Sequence, residues 1–497
     1  MQLAKCYLLC CLTTVWIVAA TAHVAAQGQS AFQKMSQYPQ EHWYNVTLMG
    51  TKIGYMHTYR ENAVYQGEAV KRNKVDMVMS LKGLGTNLTI ETTRLEYTGA
   101  NLMPRYFLST SNEDGSKQVE GRIVDGIAYI KVTLNGETTE SETSVPPGTV
   151  SEFMSIDALL SQKPIRIGDK QTVHSFIFDL LKPVKTELEV IAEETLTYQG
   201  AEKQVYVLKQ TTDMMGGITA QVWVDSDGVT YRTEVPLMGL SMAMTKTDRG
   251  TALGDIGEVD IVLRTRILPG GKRPTPKAER LVAEVRMTEG SISNAVMSTA
   301  MQQLEVTSEQ TGKLSIQIST VDAESCPDLP IQDEESAFLG SSAYIQTGHP
   351  EILAKALEIL AGETNSWRAA KQLNQWVYTA ITDKELSGGY NSSLTTLGSR
   401  SGDCTEHTVL FIALARSVGI PARICSGIIF SQDAFYYHFW PEVYVGRWVQ
   451  TDPTLGQTLA DANHIQLGGS TVESDTLLEF AEGVFRTLNQ LEIVVIE

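Results

Sequence analysis

Across residues 42–264, apolar and polar residues alternate in short runs rich in Thr, Val, Ile and Tyr, broken by Gly, Asp and Asn. Alternation with period two predicts strands that bury one face; residues 89–97 and 204–211 are clear examples. The text predicts a large, curved antiparallel sheet, interrupted by helical patches near 151–162 and 176–181. Met238, Met242 and Met244 form a stripe expected to fill core. Residues 225–228, Asp-Ser-Asp-Gly, predict a β-turn, since a calcium loop begun there would need Glu where Pro236 stands.

Past residue 343 the period changes. Ile352, Leu353, Ala356, Leu357 and Leu360 recur at helical spacing, with Pro350 in the first turn and Gly362 as the stop. A second helix follows Asn365, its apolar face traced by Trp367, Ala370, Leu373, Val377 and Ile381. A third begins near Cys404 and ends near Val418, bounded by Gly402, Gly419 and Pro421; its nearly continuous apolar text predicts a buried helix. Residues 268–276, rich in Pro and Gly, predict a linker, and alternation over 281–287 and 314–318 predicts a small β-rich segment after it.

A length of 497 residues favours two or three domains, and 42% hydrophobic with 20% charged residues is the composition of a folded protein. The net charge of −18 argues against nucleic-acid binding, which needs clustered cations. Near the N-terminus, Lys5, the apolar run 6–20 and Val24-Ala25-Ala26 predict an export signal over residues 1–26. That run is short of the ~20 residues that span a membrane, so the mature chain is expected to carry no transmembrane segment. The expected order is signal 1–26, β-rich domain 27–265, linker and small β-rich segment 266–342, and a domain carrying the chemistry, 343–497.

Loss of the signal leaves Cys326, Cys404 and Cys425, an odd number in an exported chain, so at least one thiol is expected free. Cys404 stands at the start of the buried helix, where the macrodipole favours a thiolate, although Asp403 and Glu406 oppose that effect. Downstream, His438 and Asp452 lie on two strands joined near Gly446-Arg447. A two-residue turn there would place them on opposite faces; pairing Tyr444 with Trp448 through a bulge at Gly446 would place them on one face. The bulge is expected, and with it the nucleophile, base and orienting group of a thiol triad. Trp440 and Glu442 share parity with His438 and are expected to pack around it. His407, three residues after Cys404, is expected to steady the site by a hydrogen bond to a neighbouring loop. Cys425 and His464 are read as structural and Cys326 as a loop thiol. No ligand spacing indicates a metal, and no cofactor is expected.

Four ordered motifs, Gly402-Asp-Cys404-Thr-Glu-His407, residues 414–423, His438-Phe-Trp-Pro-Glu-Val-Tyr-Val445 and Asp452-Pro-Thr454, together resemble the bacterial transglutaminase-like superfamily over about residues 343–470. The resemblance implies a papain-like α+β core, with Cys404 as nucleophile, His438 as general base and Asp452 as orienter. The fold class expected is therefore multidomain: an N-terminal antiparallel β-rich domain followed by an α+β papain-like, transglutaminase-like catalytic domain. The function implied is cysteine-dependent acyl transfer on protein or peptide amide bonds through a thioester, by a peptidase, an amidase or a crosslinking enzyme, in the periplasm or outside the cell. The alternative is a catalytically silent scaffold whose β-rich half binds a protein, glycan or lipid. A second oxyanion donor is sought among Trp376, Tyr390 and Asn391.

Overall fold

The computed structural model describes residues 39–497 except 84–85, 113–116, 135, 155, 157–158, 160–164, 178–180, 214–217, 238–239, 333, 343, 384–390 and 470–481. The expected export segment, Met238 and Tyr390 lie outside the described residues. The chain is strand-rich and divides into two compact units, one formed mainly by Cys11–Lys82 and Asn87–Val259, the other mainly by Asp260–Glu497.

In the first unit the described residues form one fifteen-stranded sheet, largely antiparallel, with a short parallel pair at an edge. Its middle is made where the first strand, Gln40–Leu48, pairs antiparallel with Leu240–Thr247. Alternation decides which face is buried: Ala220, Val222 and Val224 from Ile218–Val224 point inward, as do Met242 and Met244. Leu188, Val190, Leu208, Val222 and Val224 pack into one apolar cluster with Ile156 and Leu159. One outer strand, Glu137–Ser144, is almost wholly polar, which discourages further pairing at that edge. The expected turn at Asp225 is present, its carboxylate accepting from the backbone N–H of Asp227 and Val229 at 3.0 and 2.8 Å.

Of the two expected helical patches, the first is helical where it is described, Ile156 and Leu159 included, and the second differs where it is described. Residues Glu152–Met154 make a single 3-10 turn, and Phe176 and Ile177 close the strand Lys170–Ile177. A short apolar run carries no period of its own. Here pairing with Pro183 and Lys182, and the packing of Phe176 on Phe107 at 5.5 Å, decide for strand.

The second unit holds a five-stranded and a four-stranded sheet. The five-stranded sheet combines Arg280–Met287, Gln302–Val306 and Thr311–Gln317 with the C-terminal strand Leu491–Val495 and the short Gly270–Gly271. The four-stranded sheet runs in the spatial order Trp448–Gln450, Ala434–Tyr444, Ala422–Ser431, His464–Gly469. Helices Pro350–Leu360, Ser366–Ala380 and Ser393–Ser399 pack against helix Cys404–Ser417, which itself packs against that sheet. Each of the first two begins on the expected residue: His349 Nδ1 accepts from the Glu351 N–H at 3.3 Å, and Asn365 caps Arg368 at 3.1 Å. Every residue from Cys404 to Ala415 is buried, so this helix has no solvent face and is enclosed by strands and helices together.

Within the four-stranded sheet Tyr444 pairs with Trp448, the expected register, through the three residues Val445, Gly446 and Arg447 rather than a strand bulge, with Gly446 at φ +89°. Gly427 lies opposite His438 on one side and Gln466 on the other. A Cβ there would overlap the Ile465 carbonyl oxygen and press on the Trp440 ring. Gly427→Ala should therefore force apart the two strands flanking the site and cost about 2 kcal/mol of stability, the usual scale of overpacking; chemical denaturation checks this, and an unchanged midpoint would contradict it.

Candidate functional site

Cys404 opens its helix at the first position after the cap. Asp403 accepts from the Thr405 N–H at 2.9 Å, and the Glu406 carboxyl reaches back to the Asp403 N–H at 2.9 Å, a capping box that fixes the start of the helix. Glu406 also accepts from the Asn391 N–H at 2.9 Å. Burial pushes the Glu406 pKa well above the ordinary carboxyl range, and the neighbouring Asp403 charge pushes it further. Opposition to a thiolate is thus weaker than the sequence implies, because one of the two acids is biased towards its neutral form.

Cys404, His438 and Asp452 are all fully buried. Asp452 follows the Trp448–Gln450 strand, and its carboxylate is held from two sides. Oδ1 accepts from the Thr454 and Leu455 N–H groups at 2.8 and 3.2 Å. Oδ2 meets His438 Nε2 at 2.9 Å. The Cys404 sulfur acts electrostatically on the same imidazole and favours its protonated form. With Nε2 engaged by the carboxylate, Nδ1 is the ring nitrogen left for the thiol.

The electrostatics follow from this geometry. Burial alone lowers the pKa of His438, but the Asp452 carboxylate and the Cys404 sulfur outweigh it and raise the value to about 10. Burial would raise Asp452, yet His438 and His464 together hold it well below the usual carboxylate range. Such an arrangement favours an imidazolium beside a thiolate, the state in which a cysteine is nucleophilic.

Of the other expected residues, Trp440 stacks on His438 with centroids 5.9 Å apart and donates its indole N–H to Gln450 at 3.1 Å. Glu442 has the expected parity but pairs with Arg423 at 2.7 Å and with the Cys425 thiol, so its carboxyl serves that neighbouring cluster. His407 places Nδ1 2.6 Å from the Asp403 carbonyl, bonding its own helix cap. Cys425 is buried core, its pKa raised by burial; the half-buried Cys326 donates to the Asp322 carbonyl at 3.3 Å. The Asn391 N–H expected as an oxyanion donor is taken by Glu406, and the Trp376 ring lies under Arg400 at 4.5 Å.

Sequence reasoning missed one participant. His464, read as structural, brings Nε2 to 3.1 Å from the same Asp452 Oδ2 that His438 uses. His438, Asp452 and His464 are the described cluster whose atoms come near enough to consider a metal, lying within 4.8 Å of one another. Their nitrogens and oxygen point at each other in two hydrogen bonds, so the arrangement is that of a proton-sharing group and we assign no metal to it.

Residues 354–453 match the model of the Transglutaminase-like superfamily, so the C-terminal part of the chain carries a transglutaminase-like domain. Among curated proteins none matches the sequence. Among solved structures, a “Putative Cysteine Protease” from Cytophaga hutchinsonii is 18% identical, with TM-score 0.30 over 44% of this chain and 86% of its own. The periplasmic domain of TgpA from Pseudomonas aeruginosa is 17% identical, with TM-score 0.26 over 38% and 76%. A β-barrel-like protein of unknown function from Brucella abortus is 12% identical, with TM-score 0.32 over 42% and 96%. Likenesses at this level are too slight to carry any activity over to this chain.

Removing the Asp452 charge should lower the pKa of His438 and raise that of Cys404. Asp452→Asn is expected to slow alkylation of Cys404 by iodoacetamide at pH 6 by at least about tenfold, the equivalent of one pKa unit. A second outcome concerns stability. The contribution of His438 is complete below its ordinary 6.5 and is lost as pH rises towards about 10; that of Asp452 is complete above 3.8 and lost as pH falls below it. Thermal melting across pH should therefore peak between those limits in wild type and flatten in Asp452→Asn.

Proposed function

We propose that this chain, carrying a transglutaminase-like domain, is an exported cysteine-dependent acyl-transfer enzyme acting on amide bonds of proteins or peptides. Cys404 is the nucleophile, His438 the general base and acid, and Asp452 the group that orients the imidazole. The observation that supports the proposal is the joint burial of Cys404, His438 and Asp452, with His438 Nε2 2.9 Å from Asp452, Cys404 acting electrostatically on the same imidazole, and Cys404 at the N-terminus of a buried helix. The helix lying against an antiparallel sheet that supplies the histidine supports the papain-like α+β description of this domain.

In the first half-reaction the Cys404 thiolate attacks the amide carbonyl carbon, and the electron pair displaced onto oxygen is received by the backbone N–H of Cys404. The C–N bond then breaks as His438 gives its Nδ1 proton to the departing amine, leaving a thioester. In the second, His438 takes a proton from water or from an incoming amine, which attacks the thioester and releases the thiolate. Water gives hydrolysis and an amine gives crosslinking; the Cys404, His438 and Asp452 roles are common to both.

Export is supported by the residue 1–26 pattern, and no helix among the described residues is long and apolar enough to cross a membrane. The β-rich unit bears a groove of about 510 Å³ lined by Tyr65, Tyr106, Tyr129, Glu120 and Arg122. That groove favours the second reading, in which the β-rich half is the working part and the domain with Cys404 is silent.

The two readings separate in one assay. Purified protein freed of its signal is incubated with fluorescent casein, with and without a fluorescent primary amine. Release of peptides or incorporation of the amine, lost by at least about a thousandfold in Cys404→Ser, is the expected result. Turnover that persists in Cys404→Ser, or none in wild type, would leave the silent scaffold.

A further inference from the structure

His464 has the geometry of a charge held in place. Its Nε2 faces Asp452 Oδ2 at 3.1 Å, and its Nδ1 faces both the Asp461 carbonyl and Asp461 Oδ1 at 3.1 Å. Carbonyl and carboxylate oxygens only accept, so both ring nitrogens must carry protons, and a ring with two N–H groups is an imidazolium. The side chain is fully out of contact with water, where a cation persists only if it is paired. The two carboxylates supply that pairing. Among the described rings, that of Trp440 lies edge-on at 5.1 Å and that of His438 has its centroid 6.0 Å away.

We propose that His464 is a positioning residue of the Cys404 site, a fixed imidazolium that shares the Asp452 carboxylate with His438 and so limits how tightly His438 holds its proton. The inference rests on the proposed roles of Cys404, His438 and Asp452 and adds to them a device that adjusts the base. Were Asp452 paired with His438 alone, each proton given to a leaving amine would strip a fully buried carboxylate of its only counter-charge. His464 remains beside that oxygen throughout, so the carboxylate is never left bare and His438 can release its proton. The titratable or charged groups that face His464 among the described residues are Asp452 and His438 across the sheet and Asp461 in the preceding turn. A like charge disfavours the charged form of its neighbour. Removing the His464 charge must therefore raise the pKa of His438.

Nitrogen-15 NMR of the histidine rings tests this on the full mature chain. In wild type at pH 7.5, His464 is expected to show the imidazolium signature; a neutral tautomer there would overturn the proposal without any substitution. Titration of His438 is then followed in Cys404→Ser, where loss of the sulfur brings its midpoint down, and in the same background with His464→Gln or Asp461→Asn. Gln keeps an N–H donor but no charge, so the expected upward shift of about one pH unit separates charge from hydrogen bonding. Asp461→Asn, which leaves the imidazole in place but weakens its hold on the second proton, should move His438 in the same direction. Unmoved midpoints in both variants would overturn the proposal alone. A His438 midpoint that does not respond to Cys404→Ser would overturn the thiol–imidazole assignment on which it rests.

Discussion

A carboxylate withdrawn entirely from water has to be bonded and neutralised, and the architecture around residue 452 is a solution to that requirement. Asp452 uses one oxygen to close its own turn through Thr454 and Leu455 and the other to receive two imidazoles. Because both oxygens are committed, the His438 ring has a fixed tilt and a fixed protonated nitrogen. Its remaining nitrogen, Nδ1, is the one the proposal gives to Cys404. The sheet order follows the same logic: the strand carrying His438 lies between the segment that ends in Asp452 and Ala422–Ser431, and His464 returns on the far side of the latter.

The helix contributes through its burial as much as through its dipole. With the first twelve residues out of solvent, the capping box of Asp403 and Glu406 is the means by which the N-terminal N–H groups are satisfied near Cys404. A capping acid would ordinarily work against a neighbouring thiolate. The burial of Glu406 biases it towards the neutral form, so it can bond the Asp403 and Asn391 N–H groups without imposing a full negative charge beside the sulfur.

Much of this was legible in the sequence, and for identifiable reasons. Pro350 in a first turn, Asn365 ahead of an apolar face and Gly402 before Cys404 marked three helix starts, and the structure caps them at His349, Asn365 and Asp403. The register at Gly446 could be inferred because a three-residue loop or a bulge, unlike a two-residue turn, puts His438 and Asp452 on one face, and the Tyr444–Trp448 pairing has that register. What could not be read depends on tertiary neighbours. Residues Phe176 and Ile177 are apolar side chains whose strand state is decided by Phe107 and the returning hairpin. Glu442 lies at the parity of His438, but parity does not reveal that Arg423 stands closer to its carboxyl. His464 sits in Ala-Asn-His-Ile, a context with no motif. Its partnership with Asp452 arises only because His464–Gly469 pairs with Ala422–Ser431 across the sheet. The one available signal was a histidine three residues after an aspartate, just downstream of Asp452-Pro-Thr454.

The central claim is that Cys404 rests as a thiolate beside a protonated His438. Its most direct test is the ultraviolet absorbance of the thiolate, followed against pH as the difference between wild type and Cys404→Ser. The account predicts that the signal is fully developed at neutral pH and disappears only in acid, well below the free-thiol value of about 8.5. A difference signal that appears only as pH rises through about 8.5 would show an ordinary thiol and contradict the account.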